Sequence, residues 1–167
     1  MNSFIFDAAE ILLAAFALYQ LRSMLSSTLR FSPRAMRLAL LYGIGYGIAL
    51  FGLGYTTIGH SSFTLFIQSN LMIGSVWLLI GYALIMILSE ELFFRVYLLH
   101  TKIPSLIAAT LFAAVHWRPG HVFPILMFLL LVVFALMQWA LYKKTNNFWA
   151  LCLAHLMALA MLVILYG

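Results

Sequence analysis

Charged side chains are scarce in this sequence. Of its 167 residues only 8% are charged and just four are Asp or Glu, whereas 66% are hydrophobic and the mean hydropathy is +1.10. A soluble domain of this length has too large a surface-to-volume ratio to bury so many apolar side chains. The composition therefore excludes a soluble globular protein and indicates an integral membrane protein.

The sequence also lacks a second cysteine, the pattern of a cleaved signal peptide and a basic stripe typical of nucleic-acid binding. Cys152 is the sole cysteine, which excludes an internal disulfide. The stretch MNSFIFDAAE has no basic region and carries Asp7 and Glu10, so it does not resemble a cleaved signal peptide and is interpreted as the start of the first span. The nine Lys and Arg residues form no stripe with interleaved aromatic residues, so we expect no nucleic-acid partner.

Six apolar runs make up most of the chain, and about 20 apolar residues are enough to cross a hydrocarbon core. The runs are Phe4 to Leu21, Met36 to Ile58, Leu71 to Leu99, Ile103 to Trp117, Val122 to Tyr142 and Phe148 to Tyr166. They predict an all-α fold, a polytopic membrane helix bundle of about six transmembrane helices. We expect one membrane domain over residues 1–167, with two N-terminal helices in 1–70 and a four-helix core in 71–167. The fourth run is short and ends at a turn signal, Arg118-Pro119-Gly120, so its far end is expected below the membrane surface.

The third apolar run contains the stretch SEELFFRVYLLH, residues Ser89 to His100, which holds two carboxylates and a guanidinium. Each ionisable residue at the centre of a membrane helix costs roughly 2.5 to 3.5 kcal/mol on the insertion scale, so these groups need partners or a function. Glu91 and Arg95 are four residues apart and are predicted to neutralise each other on one helix face. Glu90 is rotated about 100° away, so its partner must come from another helix.

Two histidines lie in apolar runs at a depth where they can reach Glu90. His116 ends the run LFAAVH, and His155 lies in LCLAHLMALA. The other histidines, His60, His100 and His121, fall at predicted loops or helix ends and are interpreted as interfacial polar residues. A single buried histidine is often only an interhelical hydrogen bond. An unpaired carboxylate with two histidines at compatible depth instead indicates a functional polar site, without indicating which function.

The same residues resemble the motifs of the CPBP family of intramembrane proteases, which includes CAAX prenyl endopeptidases and bacteriocin-processing or self-immunity proteins. Glu90-Glu91-Leu92-Phe93-Phe94-Arg95 fits EExxxR, Phe112 to His116 fits FxxxH, and TNNFWALCLAH resembles the segment that leads into the last motif histidine. The three matches occur in the family's order and cover roughly residues 81 to 160.

The resemblance implies a catalytic role for Glu90 as the general base on water, for His116 in orienting that water, and for His155 in stabilising the oxyanion. It implies structural support from Glu91, Arg95 and Phe112, and neither a cofactor nor a metal ion. The family's last motif commonly continues HxxxN, but this chain has Leu159 in place of the asparagine. Leucine cannot donate a hydrogen bond, and the nearby replacement donors are Gln138 and Trp117.

The resemblance therefore predicts an endopeptidase that uses glutamate- and histidine-activated water on a membrane-associated or lipid-modified protein or peptide. Prenylated tails, bacteriocin leaders and sorting tails are the substrate classes of the family. Three alternatives remain: a zinc-dependent version, although the chain has no HExxH; a proton or ion carrier; and a non-catalytic immunity or scaffold protein. We expect a multi-pass protein of a prokaryotic cell membrane, whose partners are lipid and the substrate.

The loop charges predict the orientation in the membrane. Basic residues gather in three alternate loops, at Arg22 to Arg37, at Lys102 and at Lys143-Lys144. The positive-inside rule places these loops in the cytoplasm and both termini outside. Reporter fusions after Lys102 and Lys144 should therefore score as cytoplasmic, and a fusion after Gly167 as external. A cytoplasmic C-terminus would contradict the six-span arrangement.

Overall fold

The computed structural model describes residues 3–23, 25–58, 76–116 and 124–166, and within these ranges the chain is helical with no strand. Helices α1, α2 and α3 cover Ser3–Leu21, Leu25–Thr28 and Pro33–Ile58. Helix α4 consists of three consecutive segments, Val76–Glu90, Glu91–Tyr97 and Leu98–His100. Helices α5, α6 and α7 cover Ser105–Val115, Pro124–Thr145 and Phe148–Tyr166.

These helices confirm the predicted all-α membrane bundle, since each of the six apolar runs overlaps with one of them. Three stretches are long and apolar enough to cross a membrane by length and composition: Pro33–Leu53, Ile125–Thr145 and Phe148–Leu165. Helix α5 has 11 residues, about 17 Å at 1.5 Å per residue, which is short of a core of roughly 30 Å as expected. The division at residue 70, the turn at 118–120, His60, His121 and Trp117 all lie outside the described residues.

Local sequence explains where several helices begin and end. Pro33 occupies the first position of α3, where its missing N–H costs nothing, and the Ser32 hydroxyl accepts a hydrogen bond from the Ala35 N–H at 3.3 Å. Asn146 ends α6 with a positive φ of 45°, a conformation that asparagine tolerates. Asn147 then caps α7, because its Oδ1 accepts from the Ala150 N–H at 2.9 Å.

The turn between α6 and α7 is tied to the segment that precedes α3. The Asn147 amide donates to the Arg30 carbonyl, and the Trp149 indole donates to the Leu29 carbonyl at 2.9 Å. Because the start of α7 is fixed at this end, the histidine two turns further along α7 is held at a defined height in the bundle.

Helices α3 and α7 approach closely through two glycines one turn apart. A Cβ at Gly43 would collide with the Ala154 carbonyl oxygen, and a Cβ at Gly47 would lie 2.6 Å from the Met161 Cβ. Small residues four apart allow such close backbone contact between membrane helices. This contact fixes the stretch of α7 that includes His155, next to Ala154.

Large apolar side chains cover the outside of the bundle. Leu12, Leu41, Ile125 and Ile164 are each about 70% exposed. In water such a surface would be an aggregation hazard, whereas hydrocarbon is a suitable solvent for it. The exposed surface therefore agrees with the membrane assignment made from the composition.

Replacing Gly43 or Gly47 by alanine is expected to destabilise the protein by about 1 to 3 kcal/mol, because the methyl group must push α3 away from α7. Gly45→Ala is the matched control, since nothing lies within 4 Å of its added Cβ, and it should be neutral or stabilising by up to about 1 kcal/mol. Thermal unfolding in detergent measures both. Equal melting temperatures for Gly43→Ala and Gly45→Ala would contradict the close contact.

Candidate active site

The two glutamates lie where α4 changes its winding. Glu90 ends the α-helical segment and Glu91–Tyr97 forms a π-helix, in which the N–H of Leu98 donates to the carbonyl of Phe93, five residues earlier. The sequence predicted an uninterrupted α-helix here, so the wider turn is a correction. π-helical turns are rare and occur frequently at functional sites.

Glu90 lies between the two histidines. Its Oε1 is 3.3 Å from Nε2 of His116, and its Oε2 is 3.9 Å from Nδ1 of His155. Helix α5 supplies the first histidine just beyond its last residue, Val115, and α7 supplies the second. The sequence predicted that Glu90 needs a partner from another helix, and the structure brings both candidate histidines to it.

The contacts of His116 orient its ring towards Glu90. Nδ1 of His116 lies 2.8 Å from the Phe112 carbonyl oxygen, which can only accept, so Nδ1 carries a proton. Nε2 then faces Glu90. The contact is a hydrogen bond only when one proton lies between these two atoms, either on the carboxyl group or on the imidazole. The geometry suits an acid–base pair, in which a proton can pass between Glu90 and His116.

Glu91 is fully buried and holds two partners at once. Its Oε1 accepts from Nδ1 of His155 at 2.8 Å, and its Oε2 is 3.4 Å from Nε of Arg95. The sequence predicted the pairing with Arg95 but missed that His155 lies closer to Glu91 than to Glu90. Nothing in the sequence distinguishes the two adjacent carboxylates as partners for one histidine on another helix.

Phenylalanine rings surround the Arg95 guanidinium, which is buried. Its Cζ lies 3.9 Å from the ring centre of Phe112, 5.9 Å from that of Phe134 and 6.0 Å from that of Phe94. Among the described residues its nitrogens have no hydrogen-bond partner, and the contact with Glu91 is an ion pair without hydrogen-bond geometry. Cation–π attraction to the rings therefore supplements that single ion pair.

Phe112 links the two halves of the site. Its ring lies against the Arg95 guanidinium, its carbonyl accepts from His116, and its ring centre is 4.4 Å from that of the His116 imidazole. The sequence resemblance gave Phe112 a supporting role without a mechanism. These contacts provide one, because a single residue of α5 orients the histidine and covers the arginine.

The site is open on the His116 side. The side chain of His116 is 29% exposed, whereas those of Glu90 and Arg95 are 8% and 2% exposed. A reactant can therefore reach the Glu90–His116 pair along the imidazole, while the Glu91–Arg95 pair is closed off.

Position 159 lies at the surface of the bundle. Leu159 is 40% exposed, although His155 one turn earlier on α7 is buried. Of the two replacement donors predicted for the missing asparagine, Gln138 uses its amide to donate to the Leu151 carbonyl at 3.3 Å. Within the described part of the chain, no group of three His, Cys, Asp or Glu side chains is placed to hold one metal ion.

Comparison with known protein families identifies a match. A family model described as Type II CAAX prenyl endopeptidase Rce1-like matches residues 72–161, a range that includes Glu90, His116 and His155. No curated protein and no solved structure matches the chain.

The Glu91–Arg95 pair generates a stability prediction. Arg95→Met should destabilise the protein by about 3 to 5 kcal/mol, because it leaves a buried carboxylate without its cation. Adding Glu91→Gln should recover part of that loss, since the amide carries no charge and its oxygen still accepts from His155. Thermal unfolding of the two single variants and the double variant measures the coupling. Additive effects would show that the two side chains do not interact.

Proposed function

We propose, on the premise that this chain belongs to the Type II CAAX prenyl endopeptidase Rce1-like family of membrane proteases, that it is an intramembrane endopeptidase in which Glu90 and His116 activate water. The family match confirms the resemblance drawn from the motifs. The observation that carries the proposal is the 3.3 Å contact between Glu90 and a histidine whose other ring nitrogen is fixed on the Phe112 carbonyl.

In the proposed reaction a water molecule is held at the open side of the Glu90–His116 pair. Glu90 accepts one proton of that water as its oxygen attacks the scissile carbonyl carbon. The resulting tetrahedral intermediate collapses with cleavage of the C–N bond, and Glu90 returns the proton to the leaving amine. Water thus supplies a hydroxyl group to the new carboxyl group and a hydrogen to the new amine.

Glu91 and Arg95 support this chemistry without taking part in it. Because both are buried and paired, they hold α4 in place, and Glu91 accepts a hydrogen bond from Nδ1 of His155, while the proton moves on Glu90. A fixed charge arrangement in a water-poor site needs little reorganisation during the reaction, which strengthens its electrostatic effect.

His155 is the proposed oxyanion donor. Its Nδ1–H is directed at Glu91, so Nε2 is the nitrogen left to face a substrate. Donation from Nε2 requires that this nitrogen carry a proton. Since Leu159 cannot donate, we expect turnover about 100- to 1,000-fold below that of an enzyme with two oxyanion donors.

A prenylated protein tail is the proposed substrate class. The matching family is described by its action on CAAX tails, in which the cysteine of a C-terminal C-a-a-X sequence carries a prenyl group. The lipid-facing surface of the bundle is apolar, so a prenyl chain can approach through the membrane. Bacteriocin leaders and sorting tails are the other classes to be assayed.

Glu90→Gln is expected to abolish hydrolysis while the protein still folds, because the amide keeps the shape of the side chain and removes the base. The assay uses purified protein in lipid nanodiscs with a farnesylated C-a-a-X peptide, and mass spectrometry detects the released tripeptide. His100→Gln is the control, since this histidine ends α4 away from the carboxylates, and it should leave hydrolysis intact.

Two results would overturn the proposal. Hydrolysis that persists in folded Glu90→Gln would remove the glutamate from the mechanism. Loss of hydrolysis on treatment with a strong chelator, restored by added zinc, would turn Glu90 and the histidines into metal ligands.

A further inference from the structure

Apart from its last residue, Thr145, helix α6 carries none of the residues that match the family motifs, which lie on α4, on α7 and at α5. It nevertheless contacts the site through two buried side chains one turn apart, Phe134 and Gln138. We propose that Phe134 and Gln138 are positioning residues that fix the imidazole of His155. This inference rests on the proposed function, in which that ring must present Nε2 to the substrate.

Gln138 acts on the backbone of α7. Its Nε2 donates to the carbonyl of Leu151 at 3.3 Å. Leu151 precedes His155 by four residues, so the same carbonyl accepts the backbone N–H of His155 inside the helix. A second donor from another helix therefore fixes the turn from which the His155 side chain projects.

Phe134 acts on the ring itself. Its ring centre lies 4.8 Å from that of His155 at an interplanar angle of 71°, an edge-to-face arrangement. The same ring is 6.2 Å from Phe112 and belongs to the aromatic set around Arg95. Phe134 thus packs directly against the imidazole and restricts its rotation.

His155 needs this support because its polar contacts do not fully fix the ring. Nδ1 is 2.8 Å from Glu91 and 3.9 Å from Glu90, so one nitrogen faces two carboxylates. The terminal torsion of histidine is broad and roughly two-fold, and a half-turn would replace Nδ1 by a carbon. Leu159, one turn further along, offers no polar group that would resist this rotation.

The test uses ¹⁵N NMR spectroscopy to observe the protonation and the motion of the His155 imidazole. Protein labelled with ¹⁵N-histidine, in nanodiscs, is compared with Gln138→Met, which keeps the length of the side chain and removes the donor, and with Phe134→Leu. His155→Gln assigns the signals. In the wild type His155 should show one fixed form with a protonated Nδ1. In either variant we expect exchange broadening or a shifted Nδ1 signal, whereas the His116 signals should stay in place.

Kinetics with the farnesylated C-a-a-X peptide give the second readout. Each variant should lower kcat roughly tenfold to hundredfold, as misplaced catalytic groups do, and leave KM within about twofold. Leu130→Ala is the matched control on the same helix, since Leu130 is buried in the same core cluster and has no ring contact with His155. It should leave kcat and the His155 signals unchanged.

The outcomes separate this inference from the proposed function. Unchanged His155 signals in both folded variants overturn the positioning role, even if hydrolysis falls. Equal changes in Leu130→Ala also overturn it, because the effect would then be general packing. If the wild type does not hydrolyse the peptide, the proposed function fails on that substrate, while the ¹⁵N spectra still decide whether α6 positions His155.

Discussion

The arrangement of the helices depends on two adjacent carboxylates that are buried in a hydrocarbon environment. A buried charge that loses its partner costs several kcal/mol, so Glu90 and Glu91 can be accommodated only if cations or proton donors surround them. One helix cannot supply enough of these. Arg95 comes from the same helix, His116 from the end of α5 and His155 from α7. The need to satisfy two carboxylates therefore requires three segments that are distant in the chain to converge at one point.

The two glutamates have different surroundings, and this difference is the basis of the proposed chemistry. Glu91 is enclosed by Arg95 and His155. Three phenylalanine rings in turn surround the Arg95 guanidinium. Glu90 lies 3.3 Å from His116 on the side where the site is open. Glu91 is thus paired with the permanent charge of Arg95, whereas Glu90 is paired with His116, a side chain that can gain or lose a proton. Glu90 and Glu91 are neighbours on one helix, and the helices that pack against them give them different partners.

The sequence predicted the helices well, because long apolar runs reflect constraints that act locally. It also predicted the Glu91–Arg95 pair, since four-residue spacing brings two side chains together on one helix, and it predicted that Glu90 needs a partner elsewhere. The π-helical turn at Glu91–Tyr97 was not predicted, because it depends on packing rather than on spacing. The 2.8 Å contact between His155 and Glu91, and the roles of Phe134 and Gln138, depend on how α6 and α7 are rotated against α4. The sequence pattern of a single helix does not indicate how that helix is rotated against its neighbours.

The central claim is that the scissile bond is brought to the Glu90–His116 pair. A crystal structure of the Glu90→Gln variant grown from a lipid mesophase with a farnesylated C-a-a-X peptide tests it most directly. We expect the scissile carbonyl carbon to lie about 3 to 3.5 Å from a water held by His116 and the side chain at position 90, the separation of a reactive ground state. We also expect the prenyl chain to lie along the lipid-facing surface. A peptide bound with its scissile bond away from His116, or a metal ion bound by His116 and His155, would contradict the account.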